Sequence, residues 1–469
     1  MEDRYIATVD LGTSKIALSV ARVSGENAEI LFFREKPSEG VRYGCIYNPA
    51  KASVPLKEII REAEEELSIK ITQVVIGVPR YGVTQETASA KLERSDAESC
   101  ITQEEIDSIK EMALDSYPLN NPAEQEIYGA SAQSFSTDDS MNYTESDVVG
   151  MPSSVLQGNF KIFIGLKKAS RNIDIMLNKA DVALARKYFL PTLTADAVLQ
   201  NEEKENGVAL IEMGAGVTSV SIYQGGILRF YHAIPFGGRS ISYDIKMECG
   251  FTEVLAENIK LGFGACMPDK LLTMGDKILQ IQDEENGTDQ LLPVKYLSEI
   301  ITARAKEIID AVLFEIQDSG YADRLRNGVV LTGGCANLTG CANLIKQMSG
   351  YNVRIGFPKT KKLSFSGCPG IADTSAVATV GMLLFAREDK HLNCTEEVPF
   401  VKVPVEEEPD TAGSVLDSSA WETKEPEPKK EVKKEPKPKR ESLFVRWTKT
   451  GLKPVEDFVG GLYDKLEEN

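Results

Sequence analysis

The chain has 469 residues and a formal net charge of −18, from 53 Lys and Arg against 71 Asp and Glu. That length gives material for about three domains of ordinary size, and the excess of acid excludes a general nucleic-acid-binding protein, which needs a basic surface. The sequence contains no run of about 18 apolar residues that could span a bilayer, and its 8 cysteines and 2 histidines include no pattern typical of a metal site or a hydrolytic triad.

The first predicted element is a hairpin close to the start of the chain. Strands are predicted over 6–10 and 16–20, separated by a tight turn. Small residues in a turn let backbone N–H groups approach phosphate oxygens, and a hydroxyl or an ammonium group adds donors. This turn is therefore a candidate phosphate loop, although most such hairpins only reverse the chain. Its residues are Gly12, Thr13, Ser14 and Lys15.

A second hairpin of the same kind is predicted over residues 207–223. Its first strand ends near Glu212, and its turn contains Gly214, Ala215 and Gly216. The repetition predicts two related subdomains that face each other across a cleft. An acid at each strand end, Asp10 and Glu212, could hold a hydrated Mg²⁺ opposite bound phosphates. Neither the GxxxxGK[ST] nor the GxGxxG pattern occurs, which excludes the commonest phosphate-binding motifs.

Two further segments carry residues suited to a nucleoside. Glu257 and Lys260 lie three residues apart on one predicted helical face, a spacing that usually gives a solvated ion pair and that could also contact ribose hydroxyls. Gly333 and Gly334 follow a predicted strand, where the lack of side chains would let the backbone pack flat against a base or a ribose.

The composition changes towards the end of the chain. Residues 396–441 mix both charges with repeated proline, which predicts an extended, disordered tether. In residues 442–469, apolar side chains recur at helical spacing and predict a short amphipathic helix. Three interpretations of this helix stay open: an anchor on a membrane surface, a helix bound in a partner's groove, and a helix docked back on the body. The residues assigned to membrane contact are Phe444, Trp447, Val455, Phe458, Val459, Leu462, Tyr463 and Leu466.

Four motifs in chain order give the sequence a resemblance to known proteins. They are DLGTSK at 10–15, EMGAGVTS at 212–219, AENIK at 256–260 and VVLTGGCANLTG at 329–340. This set resembles the superfamily of actin, sugar kinases and heat-shock chaperones. Within that superfamily, the segments at 219–228, 233–238 and 353–358, together with the tether and terminal helix, are similar to the FtsA family of bacterial cell-division proteins.

The resemblance implies an α/β fold of the actin-like, ribonuclease H-like type, with two lobes and a nucleotide cleft between them. It also implies one departure from actin, a small inserted subdomain named 1C. The implied boundaries are 1–79, 166–200 and 358–395 for subdomain 1A, 80–165 for 1C, 201–245 and 316–357 for 2A, 246–315 for 2B, 396–441 for the tether and 442–469 for the amphipathic helix.

The resemblance further implies a protein that binds ATP and Mg²⁺, polymerises, and tethers the ring of the tubulin-like protein FtsZ to the cytoplasmic face of the inner membrane at the division septum. Subdomain 1C would recruit later division proteins. By position, Arg304 and Lys295 would bind the C-terminal tail of FtsZ. The residues implied for the nucleotide are Asp10, Gly12, Thr13, Ser14, Lys15, Glu212, Gly214, Ala215, Gly216, Glu257, Lys260, Gly333, Gly334 and Asn337, with Asp10 and Glu212 holding Mg²⁺ through water.

The sequence departs from the pattern of this family in ways that bear on catalysis. Glu212 stands where an aspartate is usual, and Ala215 replaces a glycine. Pro191 and Thr192 lie where members that hydrolyse ATP well carry Glu or Gln, and Asp196 is a poor substitute. We therefore expect slow hydrolysis or none, with the nucleotide controlling assembly. Two alternatives stay open: an actin-like adaptor of a pilus or secretion system, and a kinase of the sugar-kinase type, for which no substrate-facing base is evident.

Overall fold

The computed structural model describes residues 3–25, 27–139, 141–282, 289–359 and 363–396. The predicted tether beyond residue 396 and the predicted amphipathic helix, with its eight apolar residues, lie outside the described residues and stay predictions.

The strands are β1 (Arg4–Leu11), β2 (Lys15–Ser24), β3 (Asn27–Pro37), β4 (Val41–Arg42), β5 (Cys45–Ile46), β6 (Lys70–Ile71), β7 (Gln73–Gly77), β8 (Thr84–Glu93), β9 (Gln125–Ser136), β10 (Val155–Leu166), β11 (Ala183–Tyr188), β12 (Val208–Met213), β13 (Thr218–Gln224), β14 (Ile227–Ile234), β15 (Ile278–Gln282), β16 (Asp289–Pro293), β17 (Val329–Thr332), β18 (Val353–Ile355), β19 (Leu363–Phe365) and β20 (Thr395–Glu396). The α-helices are α1 (Pro49–Leu67), α2 (Gln103–Asp115), α3 (Glu145–Val148), α4 (Lys167–Lys179), α5 (Leu190–Val198), α6 (Asn201–Asn206), α7 (Gly238–Cys249), α8 (Glu253–Phe263), α9 (Val294–Asp318), α10 (Cys341–Ser349) and α11 (Val377–Ala386).

Six strands form the first sheet, in the order β11-β7-β1-β2-β3-β19. β1, β2 and β3 make an antiparallel meander, after which β7 adds in parallel beside β1 and β11 adds in parallel beside β7. Four successive residues of β1, at 6–9, are buried, which is typical of a central strand covered on both faces. The predicted strands at 6–10 and 16–20 are confirmed, since they lie within β1 and β2.

The second sheet, β14-β13-β12-β17-β18, repeats the order of the first. In this sheet β12, β13 and β14 form the antiparallel meander. β17 then adds in parallel beside β12, and β18 adds in parallel beside β17. Asp10 is the last residue but one of β1, and Glu212 is the last residue but one of β12. The two acids therefore hold equivalent places in the two sheets. The prediction of an α/β fold with two related lobes is confirmed.

Residues 84–166, which overlap all but the first four residues of the stretch 80–165 assigned to the inserted subdomain, form a separate three-stranded sheet in the order β8-β10-β9. The sheet packs against α2 and has its own buried cluster, in which Phe135 and Phe160 meet edge to face with ring centroids 5.7 Å apart. α2 begins with a capping box, because the Thr102 hydroxyl accepts from the Glu105 N–H and the Glu105 carboxylate accepts from the Thr102 N–H. The subdomain boundaries themselves stay predictions.

The stretch between β14 and β17 is largely helical. It contains α7, α8 and the 25-residue α9, with the short hairpin β15–β16 immediately before α9. α9 buries eleven side chains, Leu297 and Ile308 among them, and packs against α7. In the part of the chain that the structure describes, no helix is both long and apolar enough to cross a membrane.

Candidate functional site

The two predicted phosphate turns meet in the structure. The same hydrogen bond closes both: the Gly12 N–H donates to the Lys15 carbonyl at 2.9 Å, and the Gly214 N–H donates to the Val217 carbonyl at 2.9 Å. A Cβ added at Gly216 would lie 2.7 Å from Thr13 Oγ1, so only glycine allows the turns to approach this closely. The structure thus brings the β1–β2 and β12–β13 turns together, as the repeated pattern predicted.

A pair of glycines that the sequence analysis did not assign to the site supports the second turn. The Gly238 N–H donates to the Gly214 carbonyl at 3.0 Å, and the Arg239 N–H donates to the Ala215 carbonyl at 2.7 Å. A Cβ at Gly237 would come within 2.3 Å of the Gly214 carbonyl oxygen. The start of α7 therefore holds this turn in place. Two adjacent glycines just before a helix were the signal available in the sequence.

The third glycine turn joins the same region. β17 is followed by a 3-10 helix over Gly334–Asn337, and Gly333 has a left-handed φ of 89° with its N–H donating to the Thr374 carbonyl at 3.2 Å. At Gly334 the nearest atom to an added Cβ is 3.9 Å away, on Ser375, so the space above this residue is open. Asn337 is engaged within the protein, because its Nδ2 donates to both carboxylate oxygens of Asp373 at 3.0 Å.

Lys15 is held at the edge of the first turn by two partners. Its Nζ lies 2.5 Å from Glu35 Oε1 and donates to Ser375 Oγ at 2.8 Å. Since Ser375 follows Asp373 and Thr374, this bond connects the first turn to the segment that supports Gly333. The Lys15 side chain is 30 % exposed, which leaves it within reach of an anion from solvent.

The predicted ribose pair has a structural role in addition to any contact with a ligand. Lys260 Nζ is buried and donates to the Gly238 carbonyl at 3.0 Å, to Ser242 Oγ at 3.0 Å and to Glu257 Oε2 at 2.8 Å. These bonds use all three of its N–H groups. Lys260 therefore fixes the first turn of α7, while Glu257, whose side chain is 38 % exposed, keeps one oxygen for other partners. A ribose contact by either residue stays a prediction.

The two acids proposed to hold a metal ion enclose an arginine instead. Arg80 Nη2 lies 2.9 Å from Glu212 Oε1, with side-chain exposures of only 18 % and 14 %. Burial alone would lower the pKa of Arg80. The negative charges of Glu212 and Asp10 together have the larger effect, so the pKa of Arg80 is raised. Burial also raises the pKa of Glu212, an effect that Arg80 opposes and Asp10 reinforces. The sequence analysis missed Arg80, because nothing local links residue 80 to residues 10 and 212.

This arrangement bears directly on the predicted metal. A hydrated Mg²⁺ does not fit between the two carboxylates while the guanidinium lies there, because the arginine already supplies the positive charge. Within the described residues, Asp10 Oδ1 is buried without a hydrogen-bond donor, so one acceptor of the pair is left unsatisfied. No cluster of three or more His, Cys, Asp or Glu side chains suited to a metal occurs in the described ranges.

The segment expected to position an attacking water contains no free carboxylate. Thr192 Oγ1 donates to the Phe189 carbonyl at 2.9 Å, Pro191 is buried in the first turn of α5, and Asp196 pairs with Lys204 at the surface. The Thr194 hydroxyl of this segment opposes the rise that burial causes in the pKa of Glu212. These contacts agree with the expectation of slow hydrolysis, which stays a prediction.

The residues expected to bind the FtsZ tail lie on α9, away from the glycine turns in sequence. Arg304 makes a bidentate pair with Asp244 of α7, at 2.6 and 3.0 Å, and a second pair with Glu307 at 2.5 Å. Its side chain remains 29 % exposed. Lys295 lies in the first turn of the same helix. The structure thus places both residues on one element, and their role in binding stays a prediction.

Two sheets of the same topology, with their glycine turns in contact, define a protein of the actin-like class. The fold is similar to a chain in the solved "PilM-PilN type IV pilus biogenesis complex", with a TM-score of 0.56 and 14 % sequence identity over 81 % of this chain and 97 % of that one. This likeness shows the fold alone.

Sequence comparisons show which proteins of that class the chain is similar to. The family model described as "Cell division protein FtsA" matches residues 209–380. The FtsA of Neisseria meningitidis serogroup B is 28 % identical over 76 % of this chain and 85 % of that protein. The FtsA of Borreliella burgdorferi is 28 % identical over 85 % of this chain and 94 % of that protein. Over most of its length the chain is therefore similar to FtsA cell division proteins, as the motifs predicted.

Proposed function

We propose that this chain binds ATP in the cleft between its two sheets, assembles into filaments under the control of that nucleotide, and tethers the FtsZ ring to the cytoplasmic membrane at the septum. The observation that carries the proposal is the contact between two equivalent glycine turns, at Thr13 and Gly216, in a chain similar to FtsA proteins. Such paired turns offer backbone N–H groups to phosphates from two sides.

The residues present fit a nucleoside triphosphate. Gly12, Gly214 and Gly216 allow the two turns to pack tightly, since a Cβ added at any of them would come within 3.0 Å of a protein atom, and Lys15 adds a partly exposed basic side chain at the edge of the first turn. The open surface over Gly334 suits a planar base. Because the site lacks a free carboxylate near α5, the chain would turn ATP over slowly or not at all and use it to stabilise an assembled state.

The proposed contact with FtsZ centres on Arg304. A partly exposed guanidinium paired with Asp244 and Glu307 can exchange the bidentate partner, Asp244, for a carboxylate of a bound peptide, which it would bind in the same bidentate way. Lys295, at the start of the same helix, would extend the positive surface. Recruitment of later division proteins would involve the separate sheet at 84–166.

Attachment to the membrane would come from residues 442–469. One short amphipathic helix binds a bilayer weakly, but a filament presents many copies and binds by avidity. ATP would therefore control membrane attachment through assembly. Of the three interpretations of this helix, the similarity to FtsA proteins favours the anchor.

The test is co-sedimentation of the full chain with anionic liposomes and a peptide that copies the C-terminal tail of FtsZ, with and without ATP. We expect the chain to carry the peptide into the pellet when ATP is present. Removal of 442–469 should leave the complex of chain and peptide in the supernatant. Arg304→Glu should pellet without the peptide.

Asp244→Asn is the matched control for Arg304→Glu, since it removes the charge of the bidentate partner and keeps the guanidinium. This variant should bind the peptide at least as tightly as the native chain. Pelleting that still depends on liposomes in the chain that lacks 442–469 would contradict the membrane role. Retention of the peptide by Arg304→Glu would remove Arg304 from the tail site, and equal pelleting with and without ATP would contradict control by nucleotide.

A further inference from the structure

Arg80 lies three residues after the end of β7 and is the first residue of the stretch assigned to the insert. Its main chain is fixed by the second lobe, because the buried Tyr231 of β14 donates its hydroxyl to the Arg80 carbonyl at 2.7 Å. Tyr231 in turn packs edge to face against Phe163 and Phe189, with ring centroids 6.2 and 5.6 Å away. The main chain at Arg80 is therefore held rigidly, and its side chain reaches Glu212 of β12.

The side chain of Arg80 carries more N–H donors than the protein uses. The guanidinium has five N–H groups in a planar fork, and Glu212 is its close ion-pair partner at 2.9 Å. Among the described residues, its buried Nε and Nη2 meet no acceptor in hydrogen-bonding geometry. Buried donors without acceptors are costly, and a ligand that supplies acceptor oxygens would satisfy them.

The position of the guanidinium identifies what that ligand would be. Arg80 lies against Glu212, which is one residue from the end of β12, and the phosphate turn at Gly214–Gly216 follows directly. Asp10 holds the equivalent place before the other turn. A planar, permanently charged fork at this point matches the geometry of a phosphate.

We propose that Arg80 binds the terminal phosphate of a nucleoside triphosphate in this cleft, supplying there the positive charge that the predicted Mg²⁺ would otherwise provide. The proposal rests on ATP binding as proposed above. Glu212 and Asp10 then position and neutralise the arginine rather than a metal ion. A diphosphate lacks the group that Arg80 contacts, so the arginine makes the cleft prefer ATP over ADP.

The test is equilibrium binding of ATP and ADP to the full chain, by displacement of a fluorescent ATP analogue, in Mg²⁺ and in EDTA. A hydrogen bond to a charged group is strong enough that Arg80→Ala should lose about tenfold or more in affinity for ATP. The same variant should lose less than about threefold for ADP, which cannot reach the arginine. The preference of the native chain for ATP should persist in EDTA.

Two further variants serve as controls for the effect of Arg80→Ala. Arg34→Ala removes a surface arginine paired with Glu66 and should leave both affinities unchanged. Arg80→Lys keeps a positive charge between the acids and should fold even if Arg80→Ala does not, yet it should lose part of the preference for ATP, because an ammonium cannot bridge Glu212 and a phosphate as a planar fork does.

The outcomes separate this proposal from the proposed function. Equal losses for ATP and ADP in Arg80→Ala, or native affinities in Arg80→Lys, would show that the arginine is not a phosphate ligand while ATP binding stands. Loss of the native preference for ATP in EDTA would assign that preference to the metal and overturn the proposal. A native chain that binds no nucleotide would contradict the proposed function itself.

Discussion

Gly333 and Gly334 are neighbours in the sequence with opposite steric surroundings. A Cβ at Gly334 would meet nothing closer than 3.9 Å, whereas one at Gly333 would come within 2.6 Å of the Met213 carbonyl at a φ of 89°. We expect Gly334→Val to keep the native melting temperature and to lose ATP affinity by about tenfold or more, because the valine fills the open surface proposed for the base. Thermal melting and displacement of a fluorescent ATP analogue measure the two effects.

Gly333→Val is the control for this prediction. The substitution places a branched side chain on a left-handed residue against backbone and should lower stability, with strain on the order of 1–3 kcal/mol before the clash is counted. Native ATP affinity in Gly334→Val would show that the base does not lie over this residue. A large fall in its melting temperature would show that the open space is needed for folding.

At the scale of elements, the capping box of α2 is joined to a buried arginine. Arg94, with a side chain only 4 % exposed, donates to Glu105 Oε1 at 2.8 Å, to the Ser99 carbonyl at 2.9 Å and to the Ser153 carbonyl at 2.5 Å. The hydrogen bond from Arg94 is the main reason that the pKa of Glu105 lies below its ordinary value. One carboxylate thus connects the start of α2 to two loops of the insert.

The lowered pKa of Glu105 predicts how the stability of this element depends on pH. A carboxyl with a lower pKa in the folded state contributes its full stabilisation above the unfolded value of about 4.3 and loses it as the pH falls through the folded value. We expect amide protection at 94–115 to fall with acidification through that range. Hydrogen exchange with mass spectrometry, corrected for the intrinsic rate at each pH, measures the change.

Two variants of α2 test this assignment. Glu105→Gln should lower protection at neutral pH and remove most of the acid dependence, because the charged partner of Arg94 is absent. Glu111→Gln changes an exposed acid on the same helix and should leave the pH profile as it is. An unchanged profile in Glu105→Gln would mean that another group causes the acid sensitivity.

The elements also show what could be predicted from the sequence. The hairpins were predictable because a strand, a glycine turn and a strand are encoded within about fifteen neighbouring residues. Arg80 between Asp10 and Glu212, and Lys260 beneath α7, were not, since each depends on side chains brought together from distant parts of the chain. A spacing of three residues in the helix correctly paired Glu257 with Lys260, but it could not show that the lysine is buried.

For the molecule as a whole, the negative charge is concentrated in one part. Residues 1–400 carry a net −15, of which residues 80–165 account for −10, with fifteen acids against five bases. Residues 441–469, which include the predicted anchor, have six acids and four bases. Neither the body, residues 1–400, nor the predicted anchor is therefore attracted to an anionic bilayer by its net charge. A polybasic membrane segment would be attracted.

This charge distribution predicts the sign of the salt effect on membrane attachment. Raising the ionic strength to physiological values shortens the Debye length to about 8 Å and screens the repulsion between the acidic body and anionic lipid. We expect ATP-dependent pelleting of the full chain on anionic liposomes to increase with salt. A chain held by a basic anchor would instead dissociate from the liposomes as the salt concentration rises. Liposomes of neutral lipid are the control. Pelleting on them should depend on salt little more than filament assembly itself does, and light scattering without lipid measures that assembly. A decrease of pelleting with salt on anionic liposomes alone would mean that local bases such as Arg446 and Lys449, rather than the apolar face, hold the chain to the membrane.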